Sequence, residues 1–409
     1  MNIKRKLAVF TALSLSMAAV PGTVFADEFV AEPGQRYDAE TLARMKDNVL
    51  EYEEIELLID EYNPTLKNLR QTYQDNRENV GKDAARLKEQ VFSGSGAMAE
   101  QAGFMLDQAN SIEGMIGYGG AAAYAQLVYA SEVLSQQSEQ MLLSADSITQ
   151  MTPQMLRLQT VETPKAALIA GAQSAVVGYE QLLLAKENLE NGIELLELVY
   201  ESTQTQAAAG LATQNDVLKA RQNLESTQAT RLTIDSNIQK TRQSLCTMLG
   251  WEYTDTPEIQ KVPSADLTRI DRMNPETDKA AAVDNNFTRR YNVLSYETLT
   301  DGSVQQQNMV RTLENEAAEI ASELTNLYNQ VLQKRNEYQT AIAAYELEKT
   351  KMDTAERKHS VGMIGRLEYK QQVNAYKTAE INIKTADLAL FQAMETYDWA
   401  VKGNLQISQ

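Results

Sequence analysis

The side chains that most often carry catalysis or hold metal ions are scarce in this sequence. His359 is the only histidine and Cys246 the only cysteine among its 409 residues. A single histidine excludes a histidine-based metal cluster and argues against serine–histidine and cysteine–histidine nucleophile pairs. A single cysteine cannot form an internal disulfide, and we interpret it as a buried spectator thiol. We therefore predict no catalytic residue, no metal site and no cofactor.

Carboxylates are abundant, as in the run Glu51–Glu54, which holds three glutamates and a tyrosine. Paired carboxylates can act as a general acid and base, but a charged run on a helix is usually a solvated face. The sequence has no phosphate-binding glycine loop and no EF-hand spacing. The residue types therefore predict that the protein is not an enzyme.

Two isolated glycines mark an internal repeat. Gly362 lies 152 residues after Gly210, and an apolar seam with a seven-residue spacing follows each glycine in register. Such a spacing, kept over about five heptads, is typical of a supercoiled helix pair. A lone glycine in a helical pattern is most often a helix C-cap at a tight turn. We therefore expect two related helical hairpins whose tips point the same way.

The spacing of the prolines predicts long helices rather than compact globular domains. No proline lies between Pro164 and Pro257 or after Pro275. The expected fold class is all-α: an elongated bundle of long coiled-coil helices, built from two related helical hairpin repeats, with little or no β-barrel. Capping residues before proline place helix starts at Asn63, Thr163 and Asn274. The predicted helices cover residues 38–61, 64–91, 98–150, 164–208, 214–249, 276–300, 303–358 and 366–402.

The N-terminal segment has the pattern of a signal peptide. Lys4, Arg5 and Lys6 precede an uncharged run, and small residues at Val24 and Ala26 suit cleavage; a short membrane anchor is the alternative. We divide the chain into a signal peptide (1–26), a first helical repeat (27–250) with an enlarged insertion (92–163), a linker (251–275) and a second helical repeat (276–409).

The insertion contains an uncharged, glycine- and alanine-rich stretch from Gly114 to Ser131. A hairpin packed within the bundle is one interpretation of this stretch, and close helix contact in a membrane is the other. The net charge of the chain is −18 at pH 7. This balance argues against nucleic acid, which is bound through lysine and arginine, and against an anionic membrane surface as the main partner.

Together these features resemble the TolC family of outer-membrane efflux channels. The resemblance rests on the signal peptide, the Asn63-Pro64 helix start, the two glycine turns and the return helices that close near Gly250 and Gly403. It implies that three protomers form a hollow helical tunnel. It also implies that the glycine turns form a tip that docks to an adaptor (membrane-fusion) protein bound to a cytoplasmic-membrane transporter.

The resemblance assigns two groups of site residues. A constriction near the tip would involve Glu368, Gln371, which stands where the family has a second acidic residue, and Asp216. A ring of such carboxylates would repel anions and bind cations. The adaptor-docking tips would be Gly210, Leu211, Ala212 and Thr213 in the first repeat and Gly362, Met363, Ile364 and Gly365 in the second.

The sequence departs from the family in the region expected to enter the membrane. A membrane strand needs about ten residues of alternating polarity, and none occurs in the insertion at 92–163. Either the tunnel persists without a membrane pore or helices replace the strands, so membrane contact is left open. The expected location is the cell envelope: the outer membrane or periplasm of a diderm cell, or the extracytoplasmic wall of a monoderm cell.

The predicted function is that of an exported conduit in a tripartite efflux or secretion system, assembled as a homotrimer. The alternative from a different class is a structural helical rod of the cell envelope without transport activity. A rod would use the duplication only for length, whereas the doubled glycine turns favour the conduit. A ligand-sequestering bundle is a third interpretation, and no specific residue supports it.

Overall fold

The structure, a computed structural model, describes residues 37–78, 80, 84–113, 120–144 and 151–407. It divides into two compact units, Met1–Asp47 and Asn48–Gln409. The predicted signal peptide, residues 1–26, lies outside the described residues.

The described part of the first unit contains helix α1 (Ala39–Arg44). The Asp38 carboxylate caps it by accepting a hydrogen bond from the Thr41 amide at 2.7 Å. This bond lowers the pKa of Asp38. The predicted helix 38–61 is therefore wrong, because the helix ends at Arg44 and turn and bend residues follow it at 45–48.

Four long helices dominate the second unit and confirm the all-α prediction. In chain-order numbering they are α7 (Thr163–Ala208), α8 (Gln214–Leu249), α12 (Val304–Ser360) and α13 (Arg366–Val401). Helix α12 has 57 residues, which corresponds to a length of about 85 Å. α8 packs on α7, α7 on α13 and α13 on α12, so the four form a row. Both return helices, α8 and α13, have 36 residues and start 152 positions apart.

Shorter elements surround one end of this row. This end, which lies opposite the turns that join α7 to α8 and α12 to α13, is called the base. They include two strands, which form a parallel pair with Val49 opposite Glu258. Where one helix was predicted over 276–300, the chain forms two that meet at Asn286. Outside the row, the second unit contains β1 (Val49–Leu50), a 3-10 turn (Tyr52–Glu54), α2 (Ile55–Tyr62), α3 (Pro64–Asn76), α4 (Ala84–Glu113), α5 (Ala121–Ser144), α6 (Pro153–Arg157), β2 (Glu258–Ile259), α9 (Leu267–Ile270), α10 (Pro275–Asn285) and α11 (Phe287–Thr298).

The insertion folds as a helical hairpin. Its arms, α4 and α5, pack on each other, and α5 packs on α7. The Ser131 hydroxyl donates to the Ala102 carbonyl at 2.8 Å, and the Ser138 hydroxyl donates to the Ser95 carbonyl at 2.9 Å. The prediction of a single helix over residues 98–150 was wrong. The structure instead contains a hairpin packed within the bundle. Residues 114–119 of the glycine-rich stretch lie outside the described residues.

The expected helix start at Thr163 was also wrong. The helix begins upstream, where the Thr152 hydroxyl accepts the Met155 amide and Pro153 takes the first helical position. A π-helical turn (Leu158–Glu162) then joins α6 to α7, and the Thr163 amide donates to the Leu158 carbonyl five residues back. In a π turn the backbone hydrogen bonds span five residues instead of four. The helix continues through this turn and through Pro164.

The resulting helix, Pro153–Ala208, is the one helix among the described residues that is long and apolar enough to cross a membrane. In this structure, 78% of its apolar window is buried inside the chain. Most side chains of that window are therefore already buried in the core of the chain.

Two asparagines close the base of the two repeats in the same way. Asn63 caps α3 through the Leu66 amide at 2.8 Å and donates to the Met248 carbonyl at the end of α8 at 2.7 Å. Asn286 caps α11 and donates to the Leu405 carbonyl, beyond the end of α13, at 2.8 Å. Both asparagines are fully buried. Each therefore couples a helix start to the end of a return helix.

We predict that Asn63→Ala lowers the free energy of unfolding by about 2 to 4 kcal/mol, because it removes a cap and also leaves the buried Met248 carbonyl without its donor. The control is Asn274→Ala, since Asn274 caps α10 at an exposed site and should cost about 1 kcal/mol. Urea denaturation followed by circular dichroism measures both. Equal losses would show that the contact with α8 contributes nothing.

Candidate functional site: the two hairpin tips

The first tip (residues 205–214) closes on a left-handed glycine. Gly210 has φ +76°, a conformation that an L side chain adopts only with strain. The Leu211 amide donates to the Gln206 carbonyl at 2.8 Å, and the Gly210 amide donates to the Ala207 carbonyl at 3.0 Å. This pair of bonds is a Schellman motif, which satisfies carbonyls left free at the end of a helix.

The second tip (residues 357–366) repeats this geometry. Gly362 also has φ +76°. The Met363 amide donates to the Lys358 carbonyl at 2.8 Å, and the Gly362 amide donates to the His359 carbonyl at 3.0 Å. The turns that the sequence predicted at both glycines are therefore present, with the same hydrogen bonds at equivalent positions.

The two tips differ where the return helix begins. In the first, the Thr213 hydroxyl accepts the Asp216 amide at 3.2 Å and the Asp216 carboxylate accepts the Thr213 amide at 2.9 Å. This is a reciprocal capping box, and the hydrogen bonds from Thr213 lower the pKa of Asp216. In the second, the equivalent residue is Gly365, which makes no side-chain cap. Asp216 thus has a structural role that Glu368 does not share.

Large apolar side chains are exposed at both tips. Leu211 is 80% exposed, Met363 is 73% exposed and Val361 is 69% exposed. A Cβ atom added at Gly210 or Gly362 would meet no other atom within 4 Å. These exposed apolar side chains are therefore available for contact with another molecule.

An aromatic pair supports the second turn. The His359 ring stacks on Tyr369 with a centroid distance of 4.5 Å and an interplanar angle of 8°. Its Nδ1 atom lies 3.2 Å from the Ile364 carbonyl oxygen. His359 is exposed at the tip, as the sequence suggested. Its contact with Tyr369 was missed, because nothing in the local sequence links a residue before the turn to one after it.

The residues expected at a constriction lie at the start of α13 or of α8. Glu368 and Gln371 are both exposed on α13. Glu368 lines an open notch of about 300 Å³ between α12 and α13, together with Lys351 and Lys358. Asp216, in the first turn of α8, is also exposed, but its carboxylate is held by Thr213.

A row of polar contacts joins the two hairpins on the tip side of the bundle. Lys370 Nζ lies 2.5 Å from Glu194 Oε2, and Lys377 Nζ donates to Asn191 Oδ1 at 2.8 Å. The hydrogen bond from Lys370 lowers the pKa of Glu194. A third lysine, Lys384, follows at the same seven-residue spacing. This periodicity was visible in the sequence, but the partners on α7 come from the other repeat.

No group of histidine, cysteine, aspartate and glutamate side chains suited to a metal ion occurs among the described residues. A mixed groove of about 300 Å³ lies instead where the linker crosses α7 and α13. There the Glu180 carboxylate accepts the Val262 amide at 2.6 Å, and Asp387 accepts the Ala265 amide at 3.2 Å. Burial raises the pKa of Glu180. These carboxylates hold the linker in place.

Comparison with solved structures finds outer-membrane channels of the TolC family, the family that the sequence resembles. The outer membrane protein VceC of Vibrio cholerae has a TM-score of 0.43 and 11% identity, over 82% of this chain and 96% of that chain. CusC has a TM-score of 0.46 and 12% identity, over 77% and 96%. The CmeC outer membrane channel of Campylobacter jejuni has a TM-score of 0.36 and 13% identity, over 70% and 69%.

No protein-family model matches the sequence, and a search of curated proteins finds no match.

We predict that the first turn of α8 loosens at acidic pH. Because its pKa is lowered, the Asp216 carboxylate stabilises the folded tip above its ordinary pKa of 3.8, and this stabilisation is lost as the pH falls through the folded-state value. Hydrogen–deuterium exchange of the peptide 213–219 at pH 5 and pH 2.5, corrected for intrinsic rates, measures the change. Asp216→Asn should exchange faster at pH 5 and respond less to pH. An unchanged pH response in this variant would contradict the assignment.

Proposed function

We propose that this chain is an exported, TolC-like conduit of a tripartite efflux or secretion system, which docks to an adaptor protein through its two hairpin tips. The observation that carries the proposal is the pair of equivalent tips, each with a left-handed glycine at φ +76°. The Lys370–Glu194 contact lies between the base and both turns, so both tips are at the same end of the row. A rod that used the duplication only for length would not need two matched turns there.

The proposed assembly is a homotrimer, and the two edges of the helical row support it. α8 and α12 are the outer members of the row. α8 exposes Leu218 and Leu232, each 62% exposed and two heptads apart on one face, and α12 exposes Ile342 and Leu347. If α12 of one copy packs on α8 of the next, the contact is head-to-tail, and such contacts close into a ring when the rotation permits. Three copies would enclose a tunnel, as the resemblance implies.

In this assembly the protein provides a passage and carries out no chemical reaction. The tips would bind an adaptor (membrane-fusion) protein that is itself attached to a cytoplasmic-membrane transporter. The apolar side chains of Leu211, Val361 and Met363 would be buried in that contact. The predicted signal peptide supports a location in the cell envelope: the outer membrane or periplasm of a diderm cell, or the extracytoplasmic wall of a monoderm cell.

Glu368 is the proposed selectivity residue of the tunnel. It is exposed near the second tip, where three copies would bring like charges close together. Such crowding favours cation binding and opposes the passage of anions. Gln371 lies almost one turn further along α13 and would place an uncharged amide beside the ring of Glu368 carboxylates. Asp216 would contribute less, because its carboxylate accepts hydrogen bonds from Thr213.

We predict that Leu218→Glu combined with Leu232→Glu converts the trimer into monomers, because it places charge on the face of α8 that would be buried between copies. Native mass spectrometry measures the assembly, and circular dichroism checks that the helices persist. The control is Tyr253→Glu combined with Leu267→Glu, two exposed linker positions. A wild-type chain that is monomeric at micromolar concentration, or a control that dissociates equally, would contradict the proposed assembly and favour the structural rod.

We predict that Glu368→Gln reduces cation preference in reconstituted trimers, because it removes the charge from the proposed ring. Glu356→Gln, at an exposed position just before the second tip, is the matched control. If Glu368 served only the helix N-terminus, its loss would change stability by up to about 1 kcal/mol without changing conduction. Unchanged selectivity in an intact trimer would therefore remove Glu368 from the constriction.

A further inference from the structure

The two tips have the same backbone conformation but differ in charge. The second tip carries Arg357, Lys358 and Arg366, together with His359, and has no carboxylate. The first tip has no charged residue at all, although the chain as a whole has a net charge of −18. The positions in the first tip that correspond to the three cations, at the 152-residue offset, are Thr205, Gln206 and Gln214.

The stability of the helices explains only part of this difference. Arg357 and Lys358 lie in the last turn of α12, where a cation interacts favourably with the helix dipole. Arg366 is the first residue of α13, where the same dipole disfavours a cation. The preceding Gly365 provides no side-chain cap to offset this. Arg366 therefore has no stabilising role in its own helix.

The three cations are exposed and can meet a partner. None of them belongs to an ion pair among the described residues, and Lys358 shares an open notch with Glu368. The nearest carboxylates along the sequence, Glu356 and Glu368, lie just outside the second tip. Val361 and Met363, whose side chains are exposed, lie between Lys358 and Arg366 in the sequence. The surface thus combines an apolar centre with a cationic margin, as protein-binding sites commonly do.

We propose that the second tip binds an acidic helical segment of the docking protein, whereas the first tip binds an uncharged one. This inference rests on the proposed function, because it names the chemistry of the partner at the same tips. Carboxylates on the partner would face Arg357, Lys358 and Arg366, and its apolar side chains would cover Val361 and Met363. Exposed charge pairs of this kind steer association and set register more than they add affinity.

The difference in charge also determines which segment of the docking protein faces which tip. In a trimer the two tips alternate around the ring, so cationic and uncharged positions alternate as well. Hairpins with the same backbone would otherwise fit both positions equally. An acidic segment is attracted to the second tip and gains nothing at the first, which is how a difference in affinity becomes specificity.

The test uses the full-length exported chain and three synthetic helical hairpins that differ only at three positions beside the turn, occupied by Glu, Gln or Lys. Surface plasmon resonance should show the Glu hairpin binding about tenfold more tightly than the Gln hairpin at low salt. The Lys hairpin should bind more weakly than either. The preference for Glu should shrink at 0.5 M NaCl, because exposed charges are screened over a few ångströms at that ionic strength.

The triple variant Arg357→Gln, Lys358→Gln and Arg366→Gln should lose the preference for the Glu hairpin. The control triple Arg272→Gln, Lys279→Gln and Arg311→Gln removes the same charge from exposed positions remote from the tips and should retain it. Equal binding of the Glu and Gln hairpins, equal loss in the control, or no binding of any hairpin would overturn the inference. A chain that still forms selective trimers in any of these cases would keep the proposed function, so the two failures can be told apart.

Discussion

Apolar burial in the second repeat is concentrated near the base of the bundle, and the rest of the architecture depends on this distribution. One continuous core joins α9, α10, α12 and α13 there. On α12, the buried residues cluster between Glu316 and Val331, and Ala355 is the one buried residue nearer the tip. Further toward the tips, the hairpins meet through Lys370 and Lys377, which bond to polar partners on α7. The core residues include Ile320, Leu324, Leu390, Met394 and Tyr397.

This distribution is the physical basis of the proposed trimer. A long helix gains most of its stability from tertiary packing of its apolar face rather than from helix propensity. The outer parts of α8 and α12 have little such packing within one copy, and they expose Leu218, Leu232 and Leu347. Neighbouring copies would supply the missing contacts. The asparagine junctions at the base hold each return helix in register.

Much of this fold could be predicted from the sequence, because its strongest signals are local. The long stretches without proline and the heptad spacing predict the long helices. A left-handed turn favours glycine, so Gly210 and Gly362 indicate where the tips are. The prediction failed where tertiary contacts set the boundaries. Thr163-Pro164 has the pattern of a helix start, yet a π turn carries the helix through it. Asn286 starts a helix without a following proline, and its partner carbonyl at Leu405 is distant in sequence.

The candidate site was predictable to a similar extent. The backbone of the tips follows from their glycines, and the Thr213–Asp216 capping box has a readable spacing. The Lys370–Glu194 contact was not predictable, because it joins residues of different repeats. The roles proposed for Glu368, Gln371 and the tip residues in conduction and docking depend on other copies and on partners, so the sequence of one chain does not determine them.

The most direct test of the central claim is electron cryo-microscopy of the purified full-length chain, viewed along the axis of the particle. If three copies close the open edges of the helical row, axial class averages will show a three-fold ring with a central hole. All hairpin tips will lie at one end. A solid rod, or single copies with α8 and α12 exposed, would contradict the claim that the two hairpin repeats form a conduit.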